Sequence, residues 1–138
     1  MPKCFILLVA GALLLAAQDK PQVRQVSPSR TSPASGKDMY MSYCATCHGK
    51  DGKGGGPAAP ALKKVPTDLT QLAARNGGKF PEMRVYNVIA GDPEVAAHGS
   101  KDMPVWGTVF SSMARGNQAE INLRLSNLTK YIESIQAK

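Results

Sequence analysis

Aromatic side chains are scarce in this chain. One tryptophan, four tyrosines and three phenylalanines make up only 6% of 138 residues. Rings supply much of the buried volume of an ordinary core, so the protein core is thin for its length, and a large buried cofactor would supply the missing apolar volume. No apolar run reaches the roughly 20 residues that a membrane-spanning helix needs. The longest covers residues 4–17, follows Lys3 and ends on the small residues Ala16 and Ala17. That is the pattern of a cleaved export leader, with a retained N-terminal anchor as the alternative. No stretch alternates apolar and polar residues as a half-buried strand does, and no nucleophile or general base stands in a convincing constellation. These absences point to an exported, all-α protein that is not an enzyme.

Cysteine is rarer still, at three residues. Cys4 falls in the leader, which leaves Cys44 and Cys47 in an oxidising compartment, periplasmic or otherwise extracytoplasmic. A disulfide across two intervening residues would close a tiny loop and add little stability, so these thiols need another use. Negative charge is also in deficit: 17 Lys and Arg oppose 10 Asp and Glu, for a net charge of +7. The surplus suits an acidic protein partner. Nucleic acid is not an expected partner, and no membrane span is expected once the leader is removed.

The chain divides into a leader (residues 1–17), a linker expected to be mobile (18–35) and a folded domain (36–138). The linker holds Pro21, Pro28 and Pro33 and has no apolar periodicity. Helices are expected over residues 37–47, over 67–75 with Thr67 as N-cap, from Pro81 to Gly91, and more weakly over 107–113. The last helix is the clearest. Asn117 can cap it, with Glu120 placed to complete a capping box. Ile121, Leu125, Leu128, Ile132 and Ile135 form one stripe along it. Residues 49–60, rich in glycine and proline, form a loop.

The most specific motif is Cys44-Ala45-Thr46-Cys47-His48. Two cysteines three apart on a helical turn can each form a thioether to one vinyl group of a haem, and the adjacent histidine can supply an axial nitrogen to the iron. A thioredoxin-like redox pair would need a βαβ setting, and a zinc site four ligands; neither context is present. The expected cofactor is one covalent haem c. For the sixth ligand, Met103 lies in the proline-bounded loop Met103-Pro104-Val105-Trp106, and a thioether paired with imidazole gives a low-spin iron of raised potential. His98 is the rival candidate. Met39, Met41, Met83 and Met113 read as core filler.

With these residues in place, the chain resembles the class I monohaem cytochromes c, most of all the small bacterial members, over about residues 36–136. Gly36 and Tyr40 stand where that family has the glycine and aromatic of its first helix. Leu128 and Tyr131 match the leucine and aromatic of its last. The resemblance implies the cytochrome c fold, with first and last helices crossing at a small residue and short helices wrapping the macrocycle. It implies that the carbonyl of Pro57, in Gly56-Pro57, accepts a hydrogen bond from His48, and that Trp106 lies near the haem edge. The cofactor-binding set expected is therefore Cys44, Cys47, His48, Pro57, Met103 and Trp106, with His48 and Met103 on the metal. Lys50, Lys53, Lys63, Lys64, Lys79 and Lys101 are more scattered than the lysine ring of the mitochondrial members.

A six-coordinate, covalently held iron suits electron transfer in a respiratory or other redox chain. The expected partners are an oxidase, reductase or dehydrogenase that docks through a basic surface. The alternatives are a haem-bearing subunit of a larger oxidoreductase and a peroxide- or gas-binding haem protein.

Overall fold

The computed structural model describes residues 28–92 and 103–137. Within them the chain is helical and contains no strand, as expected of an all-α domain. No helix there is long and apolar enough to cross a membrane.

The first helical rod is built in three consecutive pieces. Helix α1 (Gly36–Met39) is capped by Ser35, whose hydroxyl accepts from the amide of Asp38 at 3.1 Å. A π-helical turn follows over Tyr40–Cys44, closed where the amide of Ala45 donates to the carbonyl of Tyr40. Helix α2 (Ala45–His48) completes the rod. The helix expected over 37–47 is thus present but wound differently. A π turn takes in an extra residue, and Met39, Tyr40, Tyr43, Cys44 and His48 all end up buried. Met41, beside them on the π turn, is instead 36% exposed and does not fill the core.

After α2 the glycine-rich loop folds back over the end of the rod. The amides of Gly54, Gly56 and Ala58 donate to the carbonyls of His48, Cys47 and Thr46 at 2.7, 3.1 and 2.9 Å. These are carbonyls that a helix end otherwise leaves without partners. A Cβ on Gly56 would lie 2.4 Å from the Thr46 oxygen, so this wrap requires glycine. A 3-10 turn at Leu69–Gln71 leads into α3 (Leu72–Arg75). Its cap is Asp68, not Thr67: the Asp68 carboxylate accepts from both the amide and the hydroxyl of Thr70. Those bonds, the side-chain one first, hold its carboxyl below the usual range.

Helix α4 (Glu82–Ala90) starts just after Pro81 and stops at Gly91, which takes a left-handed φ of 90°. Val85 and Ile89 are buried along its inner face. Met83, two residues before Val85, lies about 200° round the helix from it and is 68% exposed, so it too is not core filler. Helix α5 (Trp106–Met113) begins one residue earlier than expected.

Helix α6 (Gln118–Ser134) carries four of the five predicted stripe residues buried, Ile121, Leu125, Leu128 and Ile132, while Ile135 falls just past its end and is half-buried. The side chain of Asn117 caps it, accepting from the amides of Ala119 and Glu120. Glu120 does not fold back to close a capping box. It pairs forward with Arg124 at 2.8 Å, a residue only 3% exposed that also donates to the carbonyl of Thr31. At the far end Gln136 donates to Leu69 and accepts from the amide of Ala73, which ties the chain end to α3.

α1 crosses α6 at Gly36, where a Cβ would stand 2.1 Å from the carbonyl oxygen of Asn127. Tyr40 packs on Tyr131 beside the crossing, ring centroids 5.2 Å apart. Part of the stretch expected as a mobile linker is bound to the helices. Tyr43 donates to the carbonyl of Ser29, Arg30 to that of Met113, and Asn127 to that of Pro33, at 2.7, 2.9 and 2.9 Å.

Candidate functional site

The attachment motif occupies the last turn and a half of the first rod, so the Gly36 crossing and the glycine-rich wrap fix it from both sides. Cys44 and His48, four apart, come to one side of the helix. Both line a cavity of about 310 Å³ between the rod, α3, α4 and the start of α5. That volume falls at the lower end of small-molecule sites, about 300–1,000 Å³. Leu69, Leu72, Val85, Val88, Ile89 and Ile132 supply apolar wall, and Met103 and Trp106 close it from the other half of the chain.

Four of the six predicted site residues therefore meet in one cavity: Cys44, His48, Met103 and Trp106. Cys47 lies between the first two in sequence, half-buried, and does not itself line the cavity. Pro57 is a correction. It is exposed, on a loop whose amides are engaged with the back of α2. The partner of His48 is instead the carbonyl of Thr67, 3.1 Å from Nδ1. A carbonyl only accepts, so Nδ1 carries the proton and Nε2 keeps its lone pair. That is how the second nitrogen of a metal-binding imidazole is usually set. Burial lowers the His48 pKa, opposed by the Thr67 bond, and favours the neutral form that ligation needs.

Burial acts on the thiols in the opposite sense. Cys44 is pushed up to about 12, and Cys47 is raised by the same cause. Neither is the low-pKa thiolate of a redox dithiol. Trp106 is 6% exposed and is both cavity wall and core, stacked on Tyr43 at 5.2 Å and 26°. His98 and Lys101 lie outside the described residues.

The lining also holds residues that sequence reasoning did not single out. Arg75 at the end of α3 and Arg84 in the first turn of α4 bring two basic residues to the cavity lining, and no carboxylate residue lines it among the described residues. The arrangement suits a large, flat, apolar group with an anionic edge. Haem c fits on this structure's own terms: two thiols on one helix turn, a buried imidazole with its tautomer set, a thioether opposite it in sequence, apolar walls and a cationic rim.

A family model described as cytochrome c oxidase, cbb3-type, subunit III matches residues 31–117. That is more than half of the chain, and the protein belongs to this family of c-type cytochrome domains. Membership implies haem c and supports haem-based electron transfer. No curated protein and no solved structure matches the chain.

Proposed function

We propose that this protein is an extracytoplasmic electron carrier with one haem, joined by thioethers to Cys44 and Cys47 and ligated by His48 and Met103. The observation that carries the reading is that Cys44, a tautomer-fixed His48 and Met103 line one and the same cavity. When bound, the haem supplies a one-electron couple, Fe(II)/Fe(III). The chain's own residues do the rest. Thr67 holds the proton on His48 Nδ1, Met103 would supply a second donor to the iron, and the apolar walls would limit water around the group. Arg75 and Arg84 would meet the two carboxylates of the group. With His48 and Met103 both given to the iron, no position on it would be left for a substrate, which favours a carrier over an enzyme.

Purified holoprotein extracted with acidic organic solvent should retain its haem. Cys44→Ala or Cys47→Ala should lower holoprotein yield. Haem lost to the organic phase by the wild type would refute thioether attachment.

The basic surplus supports an acidic docking partner. Lys50, Lys53, Lys64 and Lys79 are all exposed, and two ionised haem carboxylates would lower the net +7 without cancelling it. The bimolecular transfer rate to an acidic partner should fall severalfold from low salt to about 1 M, where the Debye length is about 3 Å. A rate independent of ionic strength would count against electrostatic docking. The family description, subunit III of an oxidase, supports a second reading, that of a haem-bearing subunit of a larger oxidoreductase. Purification without detergent separates them, because a subunit co-elutes with its complex and a carrier elutes alone.

A further inference from the structure

Resting on the assignment of Met103 as axial ligand, we infer that Tyr43 is a positioning residue for that ligand, held in place by the chain at Ser29 and Thr31. Of the two residues between Met103 and α5, Pro104 is exposed and Val105 is 50% exposed. The fixed point of this loop is Trp106, the buried first residue of α5. Among the described residues two rings pack on Trp106. Phe110, at 6.0 Å, belongs to the same helix and moves with it. Tyr43, at 5.2 Å and 26°, comes from the rod that carries Cys44, Cys47 and His48. Tyr43 is thus the ring that joins the helix of one ligand to the anchor of the other, and it sets their separation.

The ring is itself fixed at its hydroxyl. Ser29 offers a carbonyl, which only accepts, so Tyr43 donates there at 2.7 Å. Its proton is then committed, and the Thr31 hydroxyl, also at 2.7 Å, donates to Tyr43. Arg124 in turn donates to the Thr31 carbonyl at 3.0 Å and carries its own counter-charge in Glu120. The relay Arg124, Thr31, Tyr43 starts on the buried face of α6 and ends on the ring that stacks on Trp106. A phenylalanine would fill the same volume, so packing alone does not require this hydroxyl.

The test uses ferric holoprotein of the full chain, titrated with imidazole, which competes with a weakly held methionine for the iron. Tyr43→Phe keeps the ring and loses both bonds, and Tyr43→Leu also loses the stack. Asn127→Ala removes the bond from α6 to the Pro33 carbonyl and touches no ring. Tyr43→Phe should raise imidazole affinity about three- to tenfold, the scale of a hydrogen bond's net contribution, and Tyr43→Leu further. Asn127→Ala should lower thermal stability and leave imidazole affinity unchanged. Unchanged affinity in Tyr43→Phe would overturn the proposal, and so would an equal rise in Asn127→Ala. The methionine–iron charge-transfer band monitors the underlying assignment separately. A band that survives in Met103→Ala would overturn the ligand assignment itself, and the role of Tyr43 with it.

Discussion

Replacing Gly36 with valine should lower the melting temperature by more than about 10 °C, a shift on the order of 2–3 kcal/mol for a domain near this size. The first added atom explains most of it. A Cβ at position 36 would sit 2.1 Å from the Asn127 oxygen, 2.8 Å from the Asn127 carbonyl carbon and 2.9 Å from the Tyr131 Cβ. Two of the three are backbone, so no side-chain rotation relieves them. α6 cannot retreat at that point without losing the packing of Leu128 and Thr129, which are 0% and 1% exposed. The rod must lift instead, which opens the Tyr40–Tyr131 contact. Overpacking of this kind costs about 1–3 kcal/mol and occasionally more. The same rod ends in Cys44 and His48, so holoprotein yield should fall with stability. Gly36→Ala, which adds only the first atom, should lie between the two. Thermal unfolding followed by circular dichroism checks the series, and an unchanged midpoint in the valine variant would place the crossing elsewhere.

The crossing was implied by the family resemblance, which rests on side-chain identity at a fixed spacing. A small residue eight before the first motif cysteine and a leucine–tyrosine pair on the last stripe are visible as letters. The stripe of α6 was legible for the same reason, since its period is that of the helix. The attachment motif is legible because its chemistry needs those side chains at that spacing. Contacts made by the backbone leave no such trace. Thr67 orients His48 through its main-chain oxygen, which any residue carries, and its side chain suggested a helix cap instead. Pro57 had the right family context, but the loop around it is engaged with the carbonyls of α2. The π turn is hidden because Tyr40, Tyr43 and Cys44 have spacings that an ordinary helix also permits. Arg124 was hidden because an arginine on a helix stripe reads as solvated. Its burial depends on Glu120 one turn back and on the Thr31 carbonyl 93 residues away in sequence. The docked segment at Ser29–Pro33 looked like a linker for a related reason. It is held by its carbonyls, and those do not depend on its composition.

Met103→Ala should turn the carrier into a ligand-binding haem protein. The methionine–iron charge-transfer band should vanish, and imidazole or carbon monoxide should bind at neutral pH. The potential should fall by a sizeable part of the roughly 0.8 V that axial ligands command, because the thioether favours the ferrous state. The structure narrows the candidates for this role. Met39 is fully buried, with its sulfur 4.0 Å from Arg124. Met113 lies 3.8 Å from the Tyr43 hydroxyl. Met41 and Met83 face outward, and neither lines the cavity. If Cys44 forms a thioether and His48 takes the iron, as proposed, Met103 is the one remaining sulfur or imidazole donor on the cavity wall among the described residues. Met39→Ala and Met113→Ala should therefore lose stability and keep the band. Met83→Ala, at an exposed site, should change neither. A band that persists in Met103→Ala would mean that another methionine holds the iron, and Met83 would be the residue to examine next.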